Sequence, residues 1–362
     1  MLKAKIKRSL SGFDLDVELL LGQELMAILG PSGSGKTMTL QCIAGLTRPD
    51  EGYIELGGKV LFDSANKIDL PPQKRRVGFV FQNYALFPHM TIGENTAYSI
   101  RHLPKVDQRE KVSHLLDMMN ISALSERFPR QLSAGQQQRA AIARALAPDP
   151  EILLFDEPFS ALDSQLRERL ELELLELQRK YNGSMLLVTH DLSEGYKLGS
   201  RVAIYHGGRI AQCDTRQKVF SSPANRTVAR LAGVRNLMDA EIVRLDDHYV
   251  WVRVPAWDME LKVSLCANIE LFIGQSVSVG IRAEYVQIAQ PEYTENIVKC
   301  RILQDVEGIA NMTYRLSVES DKQKQHPLNA LIPKSNTVLL HEGMLCHVCL
   351  PPEHLILIPE QA

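Results

Sequence analysis

Eight residues constrain this chain more than any others. Gly30-Pro31-Ser32-Gly33-Ser34-Gly35-Lys36-Thr37 fits the pattern G-x-x-x-x-G-K-[ST]. Glycines at this spacing let the backbone curl so that several N–H groups point inward at phosphate oxygens. The run Glu24–Leu29 before it is mostly apolar and reads as a buried strand. Thr37–Gly45 after it reads as a helix stopped by Gly45. A strand, a glycine turn and the positive end of a helix make an anion cradle. Lys36 would then set a cation on the β- and γ-phosphates, and Thr37 a hydroxyl on Mg²⁺.

Phosphate chemistry also needs a metal acid and a base. Ile152-Leu153-Leu154-Phe155-Asp156-Glu157 reads as a buried strand ending in two carboxylates. Neighbouring residues at a strand end diverge. Asp156 can face a Mg²⁺ shell while Glu157 polarises an attacking water.

The surrounding pattern is α/β. Phe13, Leu15, Val17 and Leu19 alternate with polar residues as in a half-buried strand, which makes Phe13 a core residue. Val77–Phe81 and Met185–Thr189 read as further strands, Glu110–Asn120 and Leu162–Lys180 as helices. Strands interleaved with helices predict a mostly parallel sheet covered on both faces. After about Val234 the helical patterns stop. Short alternating segments such as Tyr249–Val254, Ser276–Ile281 and Thr313–Val318 predict an all-β unit. It repeats internally. Gly274, Val279, Ile281, Glu284, Val286 and Ile288 match Gly343, Val348, Leu350, Glu353, Leu355 and Leu357 at a constant offset of 69. Asn236-Leu237 and Ile242-Val243 match Asn296-Ile297 and Ile302-Leu303 at an offset of 60. Two related modules, paired small barrels, are expected.

Several classes are disfavoured. Lys and Arg total 41 against 43 Asp and Glu, a net charge of -2, which argues against binding nucleic acid through bulk positive charge. The most apolar stretch, Leu15–Gly30, is cut by Asp16, Glu18 and Glu24, so no spanning helix or signal sequence is expected and the chain is read as cytoplasmic. Six cysteines make no disulfide framework. Cys346 and Cys349 are read as structural thiols.

Further motifs bring a family into view. Leu132-Ser133-Ala134-Gly135-Gln136, followed by Gln137-Gln138-Arg139, resembles the LSGGQ signature of ABC ATPases, with Ala134 in place of the usual Gly. Gln82 matches that family's Q-loop, Ser160-Ala161-Leu162-Asp163 its D-loop, and His190 its switch histidine. The resemblance covers about residues 1–232. It implies an α/β P-loop ABC ATPase domain with a mixed sheet, helices on both faces and a helical subdomain at about 84–140. A β domain at 233–362 would follow, with two OB-like modules at about 235–290 and 295–360. It implies ATP and Mg²⁺ as cofactors and a homodimer that clasps ATP. Glu157, His190 and Gln82 would be catalytic. Thr37, Gln82 and Asp156 would hold the metal, and Ser133, Gly135, Gln136 and Asp163 would join the loop residues in binding nucleotide. The site would be completed by the Ser133 hydroxyl and the Gly135 N–H of a second copy.

The importer-like frame Val80–His89 implies a peripheral subunit on the cytoplasmic face of the membrane. Its partners would be integral permease subunits and, indirectly, a periplasmic or extracellular solute-binding protein. Gly58–Ser64 and Ile68–Gly78 look most like ATP-binding subunits of molybdate importers. The β modules would then offer an oxyanion site near Thr294-Glu295-Asn296-Ile297. Sulfate, ferric iron and polyamine importers share the architecture.

Overall fold

Leu25–Leu29, Ile152–Asp156 and Ser184–Val188 are buried at every residue, which requires cover on both faces of a sheet. In the computed structural model they lie side by side. It describes all residues except 266–270, 291–292, 322–325, 337–339 and 360–362; the module and domain limits read at 360 and 362 fall outside the described residues.

The first part of the chain runs β1 (Leu2–Leu10), β2 (Phe13–Leu21), β3 (Leu25–Leu29), α1 (Lys36–Ala44), β4 (Glu51–Leu56), β5 (Lys59–Asp63), β6 (Ile68–Asp69), β7 (Val77–Val80), α2 (Ile92–Ala97), α3 (Lys105–Met118), α4 (Ala134–Leu146), β8 (Ile152–Asp156), α5 (Ser164–Lys180), β9 (Ser184–Val188), α6 (Leu192–Leu198), β10 (Arg201–His206) and β11 (Arg209–Thr215). A six-stranded sheet has the order β11-β10-β3-β9-β8-β7, parallel except for the β10–β11 hairpin. Its residues alternate between two cores. Leu153, Phe155, Met185 and Leu187 face the cluster built with α2, α4 and α5. Ile152, Leu154, Leu186 and Val188 face α1 and residues of β1, β2, β4 and β5. Those last strands form a separate antiparallel sheet, β2-β1-β4-β5-β6. Helices thus lie on both faces as expected, and on the second face α1 shares the cover with a sheet.

The chain continues through α7 (Arg216–Ser221), α8 (Arg226–Leu231), β12 (Asn236–Leu245), β13 (Tyr249–Val254), β14 (Met259–Ser264), β15 (Ser276–Ile281), β16 (Gln287–Ile288), β17 (Ile297–Glu307), β18 (Asn311–Val318), β19 (Leu328–Pro333), β20 (Leu345–Cys349) and β21 (Ile356–Pro359). It divides into two units, Met1–Arg216 and Gln217–Ala362. This division falls earlier than the limit read at residue 232, because α8 packs with the β unit: Ala229 clusters with Val234 and Ile358.

The repeat is structural. A register shift follows Ile242 in β12 and Ile302 in β17, positions 60 apart. Gly274 and Gly343 share a φ of 86°. Tyr285 and His354, also equivalent, stack on each other with ring centroids 4.0 Å apart and planes at 8°. Equivalent residues in contact mark a local two-fold relation between the modules. The modules are not self-contained, however. β21 pairs with β15 of the first module, and β16 pairs with β20 of the second. Each repeat gives its last strand to the other, and the two share one apolar core. Cys346 lies opposite Cys300, and Cys349 opposite Ile297. Both Cys346 and Cys349 are buried, which raises their thiol pKa values.

The exchange makes the first sheet depend on the C-terminal strand. Ile358 is 1% exposed. Ile358→Ala is expected to destabilise the β unit by about 2–4 kcal/mol through lost burial and a residual cavity. Both tryptophans, Trp251 and Trp257, lie in this unit. Denaturant unfolding followed by tryptophan fluorescence therefore reads it selectively, and an unchanged midpoint would deny the strand this role.

Candidate active site

The cradle is built at the end of β3. Gly35 takes a φ of 97° directly before α1, and a Cβ there would lie 2.6 Å from Leu15 Cδ1. A Cβ on Gly30 would collide with the Tyr205 carbonyl oxygen. Only glycine fits at either point. Pro31, Ser32 and Gly33 form an exposed rim. Ser34 is buried, and among the described residues its hydroxyl has no hydrogen-bond partner. Lys36 is 5% exposed and donates to the carbonyls of Gly30 and Pro31 at 2.8 and 3.0 Å. Burial lowers its pKa, while Glu157 and Asp156 pull the other way. A buried cation, an orphan hydroxyl and a glycine-lined turn suit a polyanion such as a triphosphate.

Asp156 ends β8 and meets this cradle from a distant part of the sequence. Thr37 Oγ1 donates to Asp156 Oδ1 at 2.7 Å. Burial raises the Asp156 pKa, and the Thr37 hydrogen bond opposes the rise. A hydroxyl and a carboxylate in contact beside a phosphate loop are hard oxygen donors suited to Mg²⁺. Bound there, the ion would neutralise charge on the phosphate oxygens.

Glu157 breaks from the strand with a φ of 45°, a left-handed backbone unusual for a non-glycine residue. Its N–H is anchored on the Val188 carbonyl at 3.0 Å. The turn directs the carboxylate to His190, whose Nδ1 lies 3.1 Å from Glu157 Oε2. Strain of this kind concentrates at functional positions. Gln82 donates to Ser160 Oγ at 3.3 Å, and Ser160 Oγ donates to the Glu157 carbonyl at 3.0 Å. The geometry thus links Gln82, Ser160, Glu157 and His190 in one run. A carboxylate held this way can accept a proton from water while an adjacent imidazole orients it.

The signature residues stand elsewhere. Ser133 caps α4: its hydroxyl accepts from the Gln136 N–H, and Gln136 Oε1 accepts from the Ser133 N–H. The S-x-x-Q spacing is a capping box. Gly135 is buried, and a Cβ there would press Leu166 at 2.8 Å. Asp163 caps α5 by accepting from the Leu166 N–H at 3.0 Å. Among the described residues, no hydrogen bond or ion pair joins Ser133, Gly135, Gln136 or Asp163 to the phosphate loop.

Comparison with known proteins bears on this arrangement. A family model described as ABC transporter matches residues 14–160. The spermidine/putrescine import ATP-binding protein PotA of Nitratidesulfovibrio vulgaris is 44% identical over 231 residues, 63% of this chain and 61% of that protein. The sulfate/thiosulfate import ATP-binding protein CysA of Mycobacterium tuberculosis is 44% identical over 225 residues, 62% of each. The chain thus matches about three fifths of the length of these two relatives. The PotA protein of Pseudomonas fluorescens is 36% identical over 350 residues, 92% of this chain and 90% of that protein. The chain belongs to the ABC transporter ATP-binding proteins. It is similar in structure to the ATP-binding cassette MJ0796, solved as a dimer in a post-hydrolysis state bound to ADP and Pi. That match has a TM-score of 0.51 at 30% identity and covers 60% of this chain and 99% of the cassette.

Three features of this ABC ATP-binding protein were not legible in its motifs. Arg75 is 1% exposed. It donates to the carbonyls of Cys42, Ile43 and Leu70 and pairs with Asp69 at 2.9 Å. It thereby caps the C-terminus of α1, the helix that carries Lys36 and Thr37. Around His190, Thr189 donates to buried Glu194, and Arg167 bridges Asp191 and the Leu162 carbonyl, each at 3.4 Å. Phe13, expected in the core, is half-buried. Its ring edge lies 3.1 Å from where a Gly35 Cβ would stand, so it packs partly on the phosphate loop itself.

Proposed function

We propose that this chain is the ATP-hydrolysing subunit of an importer, peripheral at the cytoplasmic face of the membrane and coupled to separate permease subunits. A solute-binding protein would deliver the solute outside. One convergence carries the reading: Thr37 on Asp156 beside the buried Lys36, with Glu157 against His190 one residue further on. In this reading Gly30–Thr37 hold the phosphates of ATP, Thr37, Asp156 and Gln82 the Mg²⁺, and Glu157 is the base. Two copies close on ATP, each offering Ser133, Gly135 and Gln136 to the other, with Asp163 at the joint. The dimeric cassette with ADP and Pi supports the pairing. Among the described residues, no helix is long and apolar enough to cross a membrane.

For the solute we favour a polyamine. The relative that aligns across 92% of this chain is named for spermidine/putrescine import, whereas the sulfate/thiosulfate relative aligns over 62%. Molybdate, the solute suggested by the resemblance, finds no support in these names. The stretch expected to hold an oxyanion also offers little to one. The Asn296 amide is engaged with the Lys262 N–H and carbonyl and the Leu350 carbonyl at 2.7–2.8 Å. Glu295 pairs with Lys262 at 2.6 Å. Uptake of labelled putrescine, sulfate and molybdate by cells lacking the chain tests the reading. Putrescine uptake should fall and be restored by the parent chain but not by Glu157→Gln. Loss of sulfate uptake alone would transfer the protein to that class. Unchanged uptake of these three and of ferric iron would overturn the importer assignment.

A further inference from the structure

The backbone after Gln82 is strained at two consecutive residues. Tyr84 and Ala85 have φ values of 62° and 48°, the left-handed region that side chains with a Cβ seldom occupy. One side chain grips both. Arg144 Nη1 donates to the Ala85 carbonyl at 2.6 Å and Nη2 to the Tyr84 carbonyl at 2.8 Å. The same guanidinium lies over the Phe87 ring, 5.5 Å from its centroid. Just beyond, the buried Asn95 bonds the N–H and carbonyl of Phe87 and the carbonyls of Met90 and Thr91, all within 3.1 Å. The segment is thus held by α2 and α4.

The placement of Arg144 on α4 matters. Ser133 caps the start of that helix, and Arg144 sits in its last turn, about 16 Å along the axis at 1.5 Å per residue. A planar fork that spans two carbonyls fixes orientation as well as distance, which an ammonium cannot do. We infer that Arg144 is a positioning residue: by clamping Tyr84 and Ala85 in their left-handed turn it sets the direction of Gln82, and it makes Gln82 follow any movement of the helix that begins at Ser133. This rests on the ATPase reading above, and it adds a residue that touches neither phosphate nor metal.

The test is a double-mutant cycle in the full-length chain, with kcat and KM for ATP measured in Mg²⁺ and thermal unfolding as a check on folding. Arg144→Met should lower kcat roughly 10-fold and leave KM within about twofold, because the phosphate loop is untouched. Arg144→Lys, which keeps the charge and loses the fork, should give an intermediate kcat. In a Gln82→Ala background neither substitution should lower kcat further, since both act through the same amide. Additive losses, a change in KM alone, or parental kcat in Arg144→Met would overturn the inference. If Arg144→Met does not fold, the Arg144→Lys cycle decides on the same criteria. Parental turnover in Gln82→Ala alone would also overturn it. ATP hydrolysis by the parent chain that is lost in Glu157→Gln would then leave the functional reading standing.

Discussion

Glu157→Gln is expected to leave ATP affinity unchanged and to slow hydrolysis by roughly 100-fold or more, about 2.7 kcal/mol of transition-state stabilisation. The substitution keeps the size of the side chain and its contact with His190, 3.1 Å from Oε2, while removing the group that accepts a proton from water. Thr37, Asp156 and Lys36 are untouched, so nucleotide and metal binding should persist. With closure intact and hydrolysis blocked, the ATP-bound chain should accumulate as a dimer on size-exclusion chromatography. Single-turnover hydrolysis at saturating ATP checks the first part and elution volume the second. Parental turnover would remove Glu157 from the role of base.

Lys36→Ala is expected to weaken ATP binding by roughly 10- to 150-fold, the about 1.5–3 kcal/mol typical of hydrogen bonds from a charged donor. Lys36 is buried and, among the described residues, donates only to the carbonyls of its own loop, and burial lowers its pKa. A phosphate entering the cradle restores a full counter-charge, so binding gains what folding alone withholds from this ammonium. Calorimetric titration with Mg²⁺ and ATP reads the loss. Thermal unfolding should change little, because the alanine leaves no unpaired charge in the interior. Equal affinity in the two chains would dismiss the cradle.

Much of the candidate active site could be read residue by residue. Gly30–Thr37 and Asp156-Glu157 are contiguous, and their chemistry follows from residue type and order. Element types were legible for the same reason: β3 is an unbroken apolar run, β8 is one up to Asp156, and α5 carries a leucine stripe. The antiparallel sheet was harder. β4 has a mixed burial pattern and β6 is two residues long, too short for any period to register. The repeat was visible as matched glycines and glutamates, yet the exchange of β16 and β21 was not. β16 is also two residues long, and no local pattern names the sheet a strand will join.

Sequence alone determined the cradle, the paired carboxylates and the short apolar runs that bury β3, β8 and β9 between two cores, since each depends on neighbours a few positions apart. Tertiary structure alone decided that Thr37 meets Asp156 across 119 positions, that Arg144 closes on the turn after Gln82, and that each β module is finished by the other's last strand. These are pairings between distant segments, chosen by which surfaces the packed layers leave facing one another, and residue order carries no periodic trace of them.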